Sequence, residues 1–83
     1  MYSITFSDTS LKQLDNLEKK TLKRITSAIE RCRIRPHAHI KKLVESPYFS
    51  LRVGDYRVIM RIIENELRIL VVKIGHRKNI YKK

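Results

Sequence analysis

Apolar and polar residues alternate at the N-terminus, and this alternation soon changes to a helical spacing. Residues 2–6, YSITF, place an apolar side chain at every second position, which predicts a half-buried β-strand. Residues 7–10, SDTS, then offer several side chains that can cap the N-terminus of a helix. The chain is therefore predicted to begin with a strand that leads directly into a helix.

Apolar residues at helical spacing continue to residue 32. Leucines recur at every third position from 11 to 17, and after the polar residues 18–21 a second set follows at Leu22, Ile25, Ile29 and Cys32. This pattern predicts two amphipathic helices, packed as an antiparallel hairpin. One long bent helix is the alternative, because no glycine or proline marks the break. Pro36 ends the helical region, and residues 35–39, RPHAH, are predicted to form a loop.

From residue 42 onward the hydrophobic period changes to two. The predicted strands are KLV (42–44), YFSLRV (48–53), YRVIMRII (56–63) and LRILVVKI (67–74), separated by short polar or turn-forming segments. The order β-α-α-β-β-β indicates an α+β fold, in which an antiparallel sheet is packed on one face by the helical pair. The last three strands should form a meander. Residues 69–72, ILVV, are apolar on both faces and are predicted to be the central strand.

A two-residue turn at Gly54-Asp55 would join the strands at 48–53 and 56–63 as a tight β-hairpin. In this register Arg52 lies directly opposite Arg57, where like charges cost roughly 0.2 to 1 kcal/mol. Alternation assigns the apolar positions to the core face: Phe49, Leu51, Val53, Tyr56, Val58, Met60 and Ile62. The other face, here called the arginine face, would carry Tyr48, Ser50, Arg52, Arg57, Ile59 and Arg61.

The charge of the chain indicates what the arginine face binds. The chain has 19 Lys and Arg against 8 Asp and Glu, a net charge of +11, and residues 41–83 hold eleven of the basic and four of the acidic residues. A surface built for solubility mixes both signs, whereas the arginine face contains no carboxylate. A phosphate-rich ligand is the expected partner, since an arginine can bind two phosphate oxygens at once.

The 83 residues are expected to form one domain, residues 1–83, because so short a chain cannot bury two cores. Cys32 is the only cysteine, so an internal disulfide and a cysteine-based zinc cluster are excluded, and its helical spacing predicts a buried thiol. His37 and His39 lack a neighbouring carboxylate or thiol, and no metal is expected there. Without an apolar membrane span or signal segment, we expect a cytoplasmic protein.

The C-terminal segment, IGHRKNIYKK, adds candidate chemistry. Gly75 allows a turn that would bring His76, Arg77, Lys78 and Tyr81 back toward a sheet edge. A histidine, an arginine and a tyrosine so close together can contribute charge stabilisation and proton transfer.

Two of these segments, LRVGDYRVIMRI (51–62) and HRKNIY (76–81), together with the order of the elements, resemble the RelE/ParE superfamily of toxins from toxin–antitoxin systems. The resemblance covers essentially the whole chain, and the archaeal RelE-like branch is the most similar. RelE-like toxins cut mRNA in the ribosomal A site by attack of a ribose 2′-hydroxyl on the adjacent phosphate. The resemblance implies that activity here, as a metal-independent endoribonuclease without a cofactor. Gyrase-poisoning relatives share the fold, so a topoisomerase-directed toxin is an alternative, as is a non-catalytic nucleic-acid-binding relative.

The resemblance also assigns roles to residues. The arginine of the hairpin YR pair falls on Arg57, the arginine after the last strand on Arg77, and the C-terminal tyrosine on Tyr81. The first two would bind the scissile phosphate, and Tyr81 would stack on a base or transfer a proton. Residues expected to bind substrate around them are Arg52, Arg61, His76, Lys78 and Lys42.

The chain departs from some relatives at the general base. Those relatives carry lysines on the strand before the hairpin turn, where this chain has Tyr48, Phe49 and Ser50. Arginine is too basic to accept a proton readily, so His76, His37 and His39 are the remaining titratable candidates. The resemblance further implies two partners, the ribosome and a small acidic RelB-like antitoxin that would form a hetero-oligomer with the toxin.

Overall fold

A computed structural model of the chain describes residues 1–80. The N-terminal strand β1, Ser3–Phe6, leads directly into helix α1, Asp8–Asp15. Ser7 caps this helix, because its hydroxyl accepts a hydrogen bond from the Ser10 amide at 3.1 Å. The predicted strand-to-helix junction is confirmed.

The second helix is separate from the first. Helix α2, Lys19–Arg31, begins after a short break, and the Asn16 amide donates to carbonyls of the last turn of α1. The buried side of α2 carries Ile25, Ala28 and Ile29, of which Ile25 and Ile29 belong to the predicted apolar set. The prediction of two helices is therefore confirmed, and the alternative of one bent helix is wrong.

Four further strands follow α2: β2 (Ile40–Lys42), β3 (Phe49–Val53), β4 (Tyr56–Ile63) and β5 (Arg68–His76). They form a five-stranded sheet with the order β1-β5-β4-β3-β2. Strand β1 pairs parallel with β5, and every other pair is antiparallel. The predicted β-α-α-β-β-β order and the antiparallel meander of the last three strands are confirmed.

Two details of the prediction are wrong. The strand expected at 42–44 lies at Ile40–Lys42 instead, and Val44 is 91% exposed. The central strand is β4, whereas residues 69–72 belong to β5, which lies between β1 and β4. Both errors share a cause, since local hydrophobicity does not specify which long-range pairs form. The predicted loop before β2 contains a 3₁₀ turn, Pro36–Ala38.

The hairpin register is as predicted, with Val53 opposite Tyr56 and Arg52 opposite Arg57. All seven residues assigned to the core face either belong to the hydrophobic core or pack against it. The helical region adds Leu14, Ile25, Ala28, Ile29 and Cys32 to that core, and β5 adds Ile69, Val71 and Ile74. The arginine face is therefore the side of the sheet opposite the helix-packed core, and Ile59 is buried on it.

Cys32 is fully buried at the C-terminal end of α2, and burial raises the pKa of its thiol. A raised pKa keeps the thiol protonated and disfavours a nucleophilic role. Within residues 1–80 no three side chains of His, Cys, Asp or Glu are grouped closely enough to hold a metal ion. In the same part of the chain, neither helix has the length and apolar character needed to span a membrane.

Candidate functional site

Strands β3 and β4 bring three arginines to one surface. Opposite residues of an antiparallel pair project to the same side, so Arg52 and Arg57 share the arginine face. Side chains alternate along a strand, so Arg61, at an odd-numbered position of β4 like Arg57, projects to the same face. Arg52 and Arg61 are exposed and Arg57 is half-buried. The half-buried position restricts Arg57 more than its neighbours, which suits a group that must meet a ligand in one geometry.

A groove of about 420 Å³ lies beside these arginines and is here called the strand groove. Its lining residues are Lys41, Lys42, Leu43, Val44, Ser50, Arg52 and Arg57. In the described part of the chain, this lining contains four cationic side chains and no carboxylate. Within residues 1–80, no carboxylate lies within 4.0 Å of any of these four cations. The groove thus presents uncompensated positive charge, the property expected of a phosphate site.

Lys41 belongs to this surface, although it is not among the site residues predicted from the sequence. Strand β2 pairs with β3 so that Lys41 lies opposite Ser50, on the arginine face. Lys42 lies opposite Phe49, a core-face residue, and still contributes to the groove lining. The correct bounds of β2 would have revealed Lys41, because its parity follows from the pairing of Ile40 with the core residue Leu51.

Lys73 on β5 is a second cation that the sequence analysis missed. It lies opposite Ile59 and therefore also on the arginine face. The register shifts at this point, since Ile59 pairs with Lys73 while Met60 pairs with Val71, which leaves Val72 as an extra residue. Without this bulge, strict alternation would place Lys73 on the core face with Val71.

Arg77 follows β5 and lies beside the hairpin turn. Its amide donates to the Asp55 carbonyl at 2.7 Å, and its Nε lies 3.9 Å from Asp55 Oδ1. This bond extends the β4–β5 register by one step beyond the pair of Tyr56 and His76. Arg77 is then diagonal to Arg57 across the ladder, a relationship in which two residues are roughly 7–8 Å apart and their Cβ atoms somewhat closer. The fold therefore brings the two arginines with predicted catalytic roles to the same end of the sheet.

The C-terminal turn is held down by Ile80. The amides of Asn79 and Ile80 both donate to the His76 carbonyl, and Ile80 is only 4% exposed. A Cβ at Gly75 would lie 3.1 Å from Ile80 Cδ1, so a glycine at this position lets Ile80 approach the strand closely. Gly75 is opposite Arg57 in the register. The turn that carries Arg77 is therefore anchored against the arginine face.

The remaining predicted residues are distributed more widely. His76 lies opposite the core-face residue Tyr56, and the two rings meet edge to face with centroids 5.5 Å apart. Its Nδ1 accepts a hydrogen bond from the Lys78 amide at 3.2 Å. Residues His76, Lys78 and Arg61 do not line the strand groove. Tyr81 lies outside the described residues.

The other histidine candidates lie in or beside the 3₁₀ turn before β2. His37 Nε2 is 2.7 Å from Glu64 Oε1, and its ring contacts Phe49. Glu64 also accepts a hydrogen bond from the Tyr2 hydroxyl at 2.6 Å. These contacts connect β1, the 3₁₀ turn and the β4–β5 turn, and they occupy His37 in a structural role.

Comparison with known proteins identifies the family. The sequence model of ParE toxins from type II toxin–antitoxin systems matches residues 4–81. The chain belongs to this toxin family. The toxin is also 25% identical over 80 residues to a protein of Escherichia coli described as RelE-like, covering 93% of this chain and 84% of that protein.

Solved structures of RelE toxins share the fold of this toxin. The RelBE2 toxin–antitoxin complex of Mycobacterium tuberculosis contains a chain with a TM-score of 0.84 and 25% identity, covering 92% of this chain and 98% of that one. The RelB–RelE complex of Methanococcus jannaschii gives 0.74 and 29%, covering 93% and 94%. Both the RelE/ParE membership and the α+β fold expected from the sequence are confirmed, and the similar structures include an archaeal toxin.

Proposed function

We propose that this toxin is a ribosome-dependent endoribonuclease that cleaves mRNA in the ribosomal A site and so inhibits translation in the cytoplasm. The proposal rests mainly on the strand groove, to whose lining the described residues contribute four cations and no carboxylate. Attack of a 2′-hydroxyl on the adjacent phosphate concentrates negative charge on the phosphate oxygens. Fixed cations and hydrogen-bond donors that meet this charge lower the barrier.

In the proposed mechanism, Arg57 and Arg77 bind the scissile phosphate from the same end of the sheet. A guanidinium presents two parallel N–H donors, so each arginine can hold two phosphate oxygens and align the attacking hydroxyl with the leaving oxygen. This arrangement supplies the positive charge within the protein, and the mechanism therefore needs no metal ion. Tyr81, four residues after Arg77, is assigned to base stacking or proton transfer.

Substrate binding is assigned to the cations around this pair. Arg52 and Lys42 line the groove with Arg57, and Arg61 extends the same face along β4. His76 is the last residue of β5, Lys78 lies in the turn that carries Arg77, and both would contact RNA beyond the scissile phosphate. We add Lys41 to this group, because its amine lies on the arginine face opposite Ser50. Lys41 thus offers a lysine near the position where some relatives carry theirs.

A RelB-like antitoxin is the proposed protein partner. The solved structures with the same fold include complexes of RelE toxins with RelB antitoxins. A small acidic protein would neutralise the +11 charge of this chain and cover its arginine face. Co-expression of the toxin with the adjacent small acidic reading frame should yield a co-purifying complex. Two proteins that never co-purify would contradict this assignment.

Primer extension on an mRNA in cell-free translation tests the activity. Wild-type toxin should produce cuts at A-site codons only when ribosomes are present, and Arg57→Ala and Arg77→Ala should abolish them. Lys12→Ala is the control, since Lys12 is exposed on α1 and does not line the strand groove. Intact mRNA in a reaction that continues to translate would reject the nuclease proposal.

A topoisomerase-directed toxin is the second candidate, favoured by the match to the ParE family. This function predicts DNA damage signalling on expression, together with uncut mRNA. The same expression strain can report both signals, so one experiment distinguishes the two activities. A non-catalytic nucleic-acid-binding relative would give neither signal.

A further inference from the structure

A second basic groove, here called the helix groove, lies between α2 and the hairpin end of β3. It has a volume of about 550 Å³, and its cations are Lys20, Lys23, Arg24, Arg31 and Arg52. No carboxylate contributes to its lining, and within residues 1–80 none lies within 4.0 Å of these five side chains. A concave surface that carries positive charge without negative charge is the electrostatic pattern of a polyanion site.

Arg52 lines both grooves. Strand β2 pairs with β3 only as far as Leu51, so in the described part of the chain no strand covers the edge of β3 at Arg52 and Val53. The two grooves therefore meet around this exposed edge, with the Arg52 side chain at their junction. A ligand that follows the positive charge can pass from one groove to the other without crossing a carboxylate of either lining.

The hairpin turn positions another cation of the helix groove. Gly54 adopts a positive φ of 59°, and a Cβ at this position would lie 3.1 Å from Arg24 Nη2. The absence of a side chain at Gly54 lets the Arg24 guanidinium lie directly on the turn. Arg24 and Arg52 thus bracket the end of the hairpin that separates the two grooves.

We propose that the helix groove extends the RNA site. A single RNA strand held at Arg57 in the strand groove would pass Arg52 at the edge of β3 and continue along α2. Its phosphates would contact Lys20, Lys23, Arg24 and Arg31. This inference rests on the proposed function, since it extends the same substrate beyond the scissile phosphate.

The dimensions and the lining of the helix groove favour RNA over an acidic peptide. Lys20 and Arg31 are eleven residues apart on one helix, which is about 16 Å at 1.5 Å per residue, or about five phosphates of a helically stacked strand. A peptide helix in a groove needs large apolar anchors at regular spacing. Among residues 1–80, the only apolar residues of this lining are Ala28 and Val53. Contacts of this kind read phosphates and would be independent of base sequence.

Binding of 2′-O-methyl RNA tests the proposal, because this backbone cannot attack its own phosphate and stays intact. Fluorescence anisotropy would compare oligonucleotides of ~4 and ~16 nucleotides, the range of site sizes for small single-strand-binding domains. The test variant is Lys20→Ala/Lys23→Ala in the full chain. Its matched control is Lys12→Ala/Arg35→Ala, which removes the same charge from exposed positions outside both grooves.

The test variant should weaken binding of the long oligonucleotide and leave binding of the short one near wild type. For the long oligonucleotide, the slope of log K against log salt should be less negative in the test variant than in the wild type by about 1.4. Each lost phosphate contact accounts for about 0.7 of this change for a single strand. The control should keep the wild-type slope. Equal slopes in test variant, control and wild type would overturn the extended site.

Failure of the proposed function gives a different result. If the helix groove is not used but the nuclease site is, Arg57→Gln should still weaken binding of both oligonucleotides and abolish ribosome-dependent cuts. If the nuclease proposal itself is wrong, the wild-type toxin should produce no ribosome-dependent cuts, whatever the binding of the two oligonucleotides. Weakened binding of a polyglutamate peptide to Lys20→Ala/Lys23→Ala, with RNA binding unchanged, would assign the groove to an acidic polypeptide and overturn the RNA inference.

Discussion

Arg52 and Arg57 lie directly opposite each other across the β3–β4 ladder, without a carboxylate within 4.0 Å of either side chain among residues 1–80. Like charges in this arrangement oppose folding. The Gly54-Asp55 turn fixes the register, so the two side chains cannot separate by a shift of pairing. The cations of the arginine face thus lower the stability of the free protein. Such a charge arrangement is consistent with selection for binding an anionic ligand.

Removing either arginine charge should therefore stabilise the free protein. We expect Arg52→Gln and Arg57→Gln each to raise the free energy of unfolding by roughly 0.2 to 1 kcal/mol at low salt. For a domain of this size the gain corresponds to about 1–8 °C in Tm. Thermal unfolding at two salt concentrations checks this, because salt screens the repulsion and should reduce the gain.

Activity should separate the two variants. Arg57→Gln should lower the cleavage rate about 10²- to 10³-fold, the usual loss for one group that stabilises transition-state charge. Arg52→Gln should weaken substrate binding more than it lowers the cleavage rate of the bound complex. Two variants with equal stability gains and equal rate losses would contradict the distinct role of Arg57.

Arg77→Ala should abolish toxicity while leaving the fold intact. The Arg77 side chain is 54% exposed, and its ion pair with Asp55 is long at 3.9 Å, so we expect a stability change within about 0.5 kcal/mol. Asp55→Asn removes the same ion pair and serves as the control. Growth inhibition and thermal unfolding would be measured on both. Loss of toxicity in Asp55→Asn as well would indicate that the ion pair, rather than the Arg77 charge on the phosphate, is required.

Lys41 should contribute to the chemistry rather than to charge alone. We expect Lys41→Ala to lower the cleavage rate about 10²-fold, the lower range for loss of a proton-transfer group. Lys41→Arg keeps the positive charge but exchanges protons poorly, so it should not restore the rate. Single-turnover cleavage on ribosomes measures this. Full activity in Lys41→Arg would limit Lys41 to phosphate binding.

The hairpin and its two faces could be predicted because their information is local. A two-residue Gly-Asp turn sets the register, and the register then determines the side of every residue from Phe49 to Ile62. The opposition of Arg52 and Arg57 follows from these rules alone. Helix α2 was equally predictable, since Ile25, Ile29 and Cys32 recur at helical spacing.

The errors concern pairings that a local pattern does not contain. Strand β2 pairs through only three residues, and apolar Leu43 and Val44 next to it shifted the prediction toward the C-terminus. The position of β5 beside β1 depends on a parallel pairing between residues more than sixty apart in sequence, Ser3 with Arg68 through Phe6 with Val71. Lys73 was missed for a third reason, the bulge at Val72 that inverts the parity of the strand.

Glu64 should make the stability of the toxin sensitive to acid. Hydrogen bonds from the Tyr2 hydroxyl and from His37 lower the pKa of Glu64 from its usual value of 4.5. A carboxyl group with a lowered pKa in the folded state stabilises the fold above pH 4.5, and this contribution is lost as the pH falls through the folded-state pKa. Urea unfolding of the wild type and Glu64→Gln should therefore differ most above pH 4.5 and converge below it.

Tyr2→Phe removes the larger of the two causes that lower the pKa of Glu64, the hydrogen bond from the Tyr2 hydroxyl. Loss of the phenol hydrogen bond should raise the pKa of Glu64 toward its usual value, so the stability of the variant should depend less on pH than that of the wild type below pH 4.5. Removal of the hydroxyl also leaves the arginine face unchanged, and RNA cleavage near neutral pH should stay at the wild-type rate. The free energies of unfolding of the wild type and Glu64→Gln could instead differ by the same amount from neutral to acidic pH. That result would show that the contacts of Glu64 do not distinguish its charged form from its neutral form.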